Sequence, residues 1–183
     1  MKRFLDQLAV FAAVLLSVTA CSKEGPAVRI EYDAEWAAAY YLGTDGQGEL
    51  GNYQLAMAQG RTDEDLALLS SGAVISLQMA APATRSIRLP DGKYLGSDGG
   101  QSAFTFIHGE TLAEGTVSGS YVGIRHGTSS PMQYYPIGEG EASIAFSQDG
   151  NYQITIHVKA EKHTFVFNYT GPIETFDFTG PEL

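Results

Sequence analysis

Cysteine is almost absent from this chain of 183 residues, which contains a single one, Cys21. Without a second thiol the chain forms no intramolecular disulfide, and cysteine cannot supply the paired ligands of a zinc or iron–sulfur site. A domain of this length buries about 68–70% of its unfolded surface, so one apolar core is enough to stabilise it. We therefore expect one domain that is held together by packing rather than by covalent cross-links.

Basic residues are also scarce, since 11 lysines and arginines stand against 21 aspartates and glutamates, for a net charge of −10. Lys2, Arg3 and Asp6 belong to the N-terminal segment, so the remainder of the chain is more acidic still. Binding to nucleic acid requires clustered lysines and arginines, and this balance argues against it. We predict no nucleic-acid partner.

The common motifs of enzymes and metal sites are missing as well. The chain has no Gly-x-Ser-x-Gly, and its four histidines form no His-x-x-x-His or His-Glu-x-x-His pair. EF-hand spacing and a phosphate-binding glycine loop are also absent from the sequence. Glu139 and Glu141 have the spacing of paired carboxylates in a hydrolase, but the same spacing is typical of ordinary ion pairing between strands. We predict no enzyme, no metal and no cofactor, with a hydrolase of unknown type kept as an alternative.

What the chain does have is a distinctive N-terminal segment. A cationic start at Lys2 and Arg3 is followed by a mostly apolar run over residues 8–20. This run is shorter than the roughly 20 apolar residues that span a membrane, and its pattern is that of a signal peptide. We assign residues 1–20 to a signal peptide, 21–28 to a tether and 29–183 to a single β-domain.

The end of that segment, Val-Thr-Ala-Cys at residues 18–21, resembles the lipobox of bacterial lipoproteins. The resemblance implies that Cys21 is acylated and becomes the mature N-terminus, so that lipid on Cys21 anchors the protein to a membrane of the bacterial cell envelope. Ser22 stands where an inner-membrane retention signal has aspartate, which favours the outer membrane. An uncleaved anchor helix and a secretory signal without lipidation are the alternatives.

Beyond the tether, the apolar residues recur mostly at every second position, which is the pattern of half-buried strands. The clearest case is 151–159, where Tyr152, Ile154, Ile156 and Val158 share one face. Further strands are predicted over 28–35, 36–42, 51–58, 74–79, 92–95, 103–107, 117–125, 132–137, 142–147 and 164–169. Thr62 to Ser70 is the one segment with a helical pattern, so we expect at most one short helix near 62–70.

The register of one hairpin follows from its turn. With 148–150 as a three-residue loop, Gly150 takes the left-handed position of a type I turn plus bulge. Phe146 then lies opposite Tyr152, Ile144 opposite Ile154 and Ala142 opposite Ile156 on the core face. Glu139 lies opposite Lys159 and Glu141 opposite His157 on the other face. A two-residue loop would mix the two faces.

Several turn-and-strand motifs extend over most of the chain. They are the Trp-Ala-Ala-Ala-Tyr-Tyr-Leu-Gly run at 36–43, Gly-Asn-Tyr at 51–53, Leu-Pro-Asp-Gly-Lys-Tyr at 89–94, Asp-Gly-Asn-Tyr at 149–152 and Phe-Asn-Tyr-Thr-Gly at 167–171. With them the chain resembles small β-rich lipoproteins of uncharacterised function from Gram-negative gut anaerobes. The resemblance implies an all-β fold, an antiparallel meander that forms a calycin-like barrel or a β-sandwich, and it implies no reaction.

Aromatic residues are the remaining candidates for function. Tyr134 and Tyr135 lie between two prolines, which predicts an edge strand or loop with at least one ring exposed. Trp36 together with Tyr40 or Tyr41 forms a second candidate pair. Exposed rings of this kind stack on sugars or bind a partner protein. We expect a membrane-anchored binding domain for a glycan or an envelope partner protein, with a lipocalin-like carrier of an apolar ligand as the alternative.

Overall fold

The computed structural model describes residues 27–98, 102–113 and 116–179. Within these ranges the protein is all-β and contains no α-helix, as the periodicity predicts. Its strands are β1 (Val28–Asp33), β2 (Trp36–Thr44), β3 (Leu50–Gln59), β4 (Gly72–Pro82), β5 (Gly92–Ser97), β6 (Thr105–Ile107), β7 (Glu110–Thr111), β8 (Val117–Ser118), β9 (Tyr121–Arg125), β10 (Gln133–Pro136), β11 (Glu139–Phe146), β12 (Tyr152–Ala160), β13 (His163–Gly171) and β14 (Glu174–Asp177).

One mixed sheet contains all of these strands except β7 and β8, which pair with each other. Its order is β1-β13-β12-β11-β5-β6-β4-β3-β2-β14, and β9 and β10 extend it from the first half of β4. The predicted antiparallel meander holds for β2–β4 and for β11–β13. It does not hold for β1 with β13, β5 with β6 and β2 with β14, which pair in parallel. Such pairings join segments that are distant in sequence, so local patterns do not predict them.

The two ends of this sheet are joined by a short stretch of chain. Only Ala34 and Glu35 separate β1 from β2, although β1 is the first strand of the sheet order and β2 is the last but one. The Ala34 amide donates to the Asn168 carbonyl of β13 at 2.8 Å, and the Glu35 amide donates to the Ala58 carbonyl of β3 at 2.7 Å. This link curls the sheet into a half-barrel with one face turned inward.

Large apolar side chains fill the inward face. Strand alternation places every second residue of each long strand there, in one continuous cluster. The largest of its fully buried members are Tyr53, Leu55, Met57, Ile75, Leu77, Met79, Leu89, Tyr94, Phe106, Phe165 and Phe167. The interior of the half-barrel is therefore a packed core.

Two tyrosines hold the segment 83–91 against one end of this core. The Tyr94 hydroxyl donates to the Pro90 carbonyl at 2.8 Å, and the Tyr152 hydroxyl donates to the Leu89 carbonyl at 3.1 Å. Burial raises the pKa of Tyr152 to about 12, so the hydroxyl keeps its proton for this bond even in alkaline solution. Leu89 is thereby fixed as a buried plug between the strands.

The predicted hairpin register is confirmed at every pair. Phe146 lies opposite Tyr152, Ile144 opposite Ile154, and the outward pairs follow as expected. Gly150 has a φ of +88°, which is the left-handed conformation that the three-residue turn requires.

The helical pattern at Thr62 to Ser70 does not form a helix, so the described part of the fold lacks even the one short helix that the sequence allowed. Thr62 instead makes an isolated β-bridge with Leu68, which closes a compact loop. The Asp63 carboxylate accepts hydrogen bonds from the amides of Asp65 at 3.1 Å and Ala67 at 2.9 Å. These bonds take the place of the backbone hydrogen bonds that a helix would form. Leu66 takes a left-handed φ of +62°, which interrupts helical geometry.

The two faces of β12 make a direct test of this arrangement. Ile154→Ala removes an inward side chain that is 1% exposed, and we expect a loss of about 2–5 kcal/mol in the free energy of unfolding. Gln153→Ala, the adjacent outward position, changes it by about 0.5 kcal/mol or less. Urea denaturation of both variants measures the difference. Equal losses at the two positions would contradict the face assignment.

Candidate functional site

A second apolar cluster lies on the outward face of the sheet. It consists of Ala56 and Ala58 from β3, Val74 from β4, and Leu66 and Leu68 from the loop 61–70. The small alanines leave room above the sheet, and the two leucines of the loop fill part of it. The loop 61–70 therefore packs on the outside of the half-barrel and creates a ridge there.

Arg125 fixes this loop in place. Its guanidinium group donates to the Leu68 carbonyl of the loop, to the Thr128 carbonyl at 2.7 Å and to the Ser130 carbonyl at 2.9 Å. The Leu68 amide also donates to the Met132 sulfur at 3.4 Å. A planar guanidinium presents five donors in a fixed fork, a geometry that the ammonium group of a lysine does not provide.

Beside the ridge is a depression of about 310 Å³, which we call the outer groove. Its walls come from three parts of the chain: the outward face of β2 and β3, the loop 61–70, and the segments around β9 and β14. The lining residues are Tyr40, Leu42, Gln54, Glu64, Asp65, Leu66, Tyr121 and Phe178.

The floor of the outer groove is polar. Gln54 donates through its side-chain amide to the Ser76 hydroxyl at 3.0 Å, and Ser76 is 1% exposed. Tyr121 of β9 lies opposite Ser76 of β4 in the sheet, and burial raises the pKa of Tyr121 above its ordinary value. Three neighbouring strands therefore place hydrogen-bonding groups side by side beneath the groove.

One wall of the outer groove is aromatic. The Tyr40 ring stacks on Phe176 with centroids 5.3 Å apart, and Phe178 meets it edge-on at 5.7 Å. The Phe178 amide donates to the Tyr41 carbonyl at 2.9 Å, which holds the end of β14 against β2. Phe178 is nevertheless 65% exposed and Leu42 is 48% exposed, so this wall offers apolar surface to a ligand.

The opposite rim carries two carboxylates, Glu64 and Asp65, which are both exposed. Neither takes part in an ion pair within the described part of the chain. They remain available as hydrogen-bond acceptors for groups that enter the groove.

The candidate residues predicted from the sequence divide between the two faces of the sheet. Tyr40 lines the outer groove, and Trp36 lies on the same outward face, where its indole donates to the Gly60 carbonyl at 3.2 Å. Tyr134 is 40% exposed and meets Tyr121 edge-on at 5.5 Å. At least one ring of the 134–135 pair is thus exposed, as expected. Cys21 lies outside the described residues.

Tyr41 and Tyr135 face the core instead. Tyr41 packs on Tyr53 with ring centroids 5.2 Å apart, and Tyr135 packs on Phe165 at 5.6 Å. The reason is strand alternation, because each follows an outward tyrosine directly in sequence. Both inward tyrosines belong to the packing of the half-barrel.

Other groove residues are not predicted by the motifs above. Phe176 and Phe178 come from a segment after the last predicted strand, and Gln54 and Tyr121 are single outward positions on strands. For Phe176 and Phe178 the sequence does contain a weak strand signal, since Thr-Phe-Asp-Phe at 175–178 alternates polar and aromatic residues. Glu64 and Asp65 lie in the segment 62–70, for which the sequence predicts at most a short helix.

The paired carboxylates at Glu139 and Glu141 are engaged elsewhere. Lys159 contacts Glu139 at 2.6 Å and Lys93 contacts Glu141 at 2.7 Å. The hydrogen bond from each lysine lowers the pKa of its glutamate below the usual value. Both glutamates therefore form ion pairs on the outer surface, as ordinary cross-strand pairing predicts. Glu141 lies opposite His157 in the register, but its ion pair is with Lys93.

The acidic turn at Asp45 also has its carboxylate occupied. One oxygen of Asp45 accepts the amide protons of Glu49 at 2.8 Å and of Leu50 at 3.1 Å, and these bonds lower the pKa of Asp45. Across residues 27–98, 102–113 and 116–179, no three His, Cys, Asp or Glu side chains are grouped closely enough to hold a metal ion.

Within the same ranges, no helix has the length and apolar character needed to cross a membrane. Comparison with known proteins finds no matching family model, no matching curated protein and no matching solved structure.

Arg125→Lys tests whether Arg125 holds the outer ridge. We expect hydrogen exchange at the Ala67 and Leu69 amides to accelerate at least tenfold, because the guanidinium bonds to the loop and its neighbours are lost. Exchange at Ile156, deep in the sheet, should stay unchanged. Arg85→Lys is the matched control, since Arg85 is exposed and away from the loop. Unchanged exchange in Arg125→Lys would contradict this role.

Proposed function

We propose that this protein is a membrane-anchored, non-catalytic domain of the bacterial cell envelope that binds a glycan in the outer groove. The observation that carries the proposal is the composition of the groove, which combines an aromatic wall, a polar floor and an acidic rim. A sugar ring has apolar C–H faces and hydroxyls around its edge. The wall suits the faces, and the floor and rim suit the hydroxyls.

The aromatic wall supplies the stacking surface. Phe178 offers the most exposed ring, and Tyr40 is held in a fixed orientation by its contact with Phe176. A ring that is already ordered loses little conformational entropy on binding, so more of the contact energy contributes to affinity.

The floor and rim supply hydrogen bonds and favour a hydroxyl-rich ligand over an apolar one. Gln54 and Tyr121 lie above the buried Ser76, and an apolar ligand that covered them would remove water from these groups without replacing it. The carboxylates of Glu64 and Asp65 accept hydrogen bonds from hydroxyls and need no proton transfer to do so.

A carrier function is less well supported. A lipocalin-like carrier requires a space inside the barrel, whereas fully buried side chains such as Leu55, Phe106 and Phe167 fill the inward face. A hydrolase based on Glu139 and Glu141 would require free carboxylates, whereas both are paired with lysines.

The membrane anchor in this proposal is Cys21. The first strand begins at Val28, so the intervening chain reaches at most about 25 Å when fully extended. The start of β1 would then stay close to the bilayer, since several acyl chains of an outer-membrane lipoprotein hold the thiol firmly there. The resemblance to β-rich envelope lipoproteins remains a prediction. An anchor at Cys21 would agree with it.

Phe178→Ala tests the groove. Phe178 is exposed, so its loss should leave stability unchanged and weaken binding to the neutral glycans that a glycan array identifies by about tenfold. Isothermal titration calorimetry measures the change. Leu95→Ala is the control, because Leu95 is 51% exposed on β5 and lies outside the groove.

Two results would contradict glycan binding in the outer groove. One is an array without any bound glycan, combined with recovery of a specific envelope protein whose binding is lost in Phe178→Ala, which would identify a protein partner. The other is equal glycan affinity in the Phe178→Ala and wild-type proteins.

Cys21→Ser tests the anchor. In cells grown with labelled palmitate, we expect the wild-type protein to carry the label and to fractionate with the outer membrane. The variant should carry no label and leave the membrane fraction, because no thioether can form at residue 21. Label or membrane association that persists in the variant would contradict the anchor.

A further inference from the structure

A second depression adjoins the outer groove along β2. It measures about 380 Å³ and is lined by Trp36, Ala37, Ala38, Tyr40, Arg61, Thr62, Glu174 and Phe176. Tyr40 lines both depressions, so one ring forms the boundary between them. We call the second depression the β2 trough.

The trough and the outer groove follow one line of outward positions on β2. Trp36, Ala38, Tyr40 and Leu42 alternate with inward residues, and Ala38 is the smallest of the four. Because Ala38 is small, the surface between Trp36 and Tyr40 stays low. From Trp36 to Leu42 this line is about 20 Å long at the rise of an extended strand, and a linear glycan covers that distance with about four sugars.

The charges along this line differ from one depression to the other. The outer groove presents Glu64 and Asp65 without a basic residue among its lining, whereas the trough combines Arg61 with Glu174. The outer groove therefore repels carboxylate or sulfate groups on a ligand, in line with the net charge of −10. A glycan that occupies both depressions must carry no acid groups at least where it lies beside Glu64 and Asp65.

Starting from the glycan binding proposed above, we infer that the ligand is an extended, uncharged oligosaccharide of about four sugars. It lies along β2 and passes over Tyr40 from the outer groove into the β2 trough. Phe176 serves both halves, since it stacks on Tyr40 and also lines the trough.

A length series tests this inference. Calorimetry with the purified protein would use neutral linear oligosaccharides of two to six sugars, in both α- and β-linked forms, and uronic-acid oligomers of the same lengths. We expect affinity for the neutral series to rise at least tenfold between two and four sugars and to level off beyond that. The uronic-acid oligomers should bind at least tenfold more weakly than neutral chains of equal length.

The double variant Arg61→Ala/Glu174→Ala removes side chains that line the trough and not the outer groove, and both residues are exposed. It should lower affinity for the four-sugar ligand at least fivefold and leave a two-sugar ligand within about threefold of wild type. Leu95→Ala is again the control. If the double variant does not fold, the length series on the wild-type protein decides the question.

The outcomes separate the two proposals. Glycan binding that does not depend on length, that favours uronic-acid oligomers, or that the double variant leaves unchanged would overturn the extended uncharged ligand while leaving glycan binding in place. Failure of every oligosaccharide to bind would overturn both.

Discussion

The structure depends on the filling of the curled sheet by its own side chains. The link at Ala34 and Glu35 brings the two ends of the sheet together, and strand alternation then directs one set of residues into a shared interior. Protein interiors pack as densely as organic crystals. Side chains such as Tyr53, Phe106 and Phe167 therefore fill the interior of the half-barrel themselves. The proposed glycan site consequently lies on the outward face of the sheet.

That outward face is unusual in having a second apolar cluster. Ala56, Ala58 and Val74 form a shallow apolar surface, the loop 61–70 covers part of it, and Arg125 ties the loop down. The part that stays open is bordered by Tyr40 and by the end of β14. The same alternation that builds the core therefore builds the groove, because Tyr40 faces outward and Tyr41 faces the core.

Local patterns in the sequence predict most of the strands, though not β7 or β14, and one complete register. The turn at Gly150 and the alternation of 151–159 are enough to pair β11 with β12 at every position, since a slip of one residue would bury polar side chains. The parallel pairings, the position of β14 and the packing of the loop 61–70 depend on contacts between residues far apart in sequence. Asp63 shows why local patterns fail there, because an N-cap and a tight loop use the same carboxylate-to-amide bond.

The candidate site could be predicted only in part. Trp36, Tyr40 and Tyr134 lie on the outward face, whereas Tyr41 and Tyr135 pack against the core. In a pair of adjacent tyrosines, the sequence does not tell which one faces outward until the register is known. NMR chemical-shift mapping with a neutral four-sugar ligand tests whether a glycan binds on the outward face. Binding in the outer groove predicts shift changes at Tyr40, Gln54 and Phe178. Changes concentrated at inward residues such as Leu55 and Phe167 would place the ligand inside the sheet and contradict it.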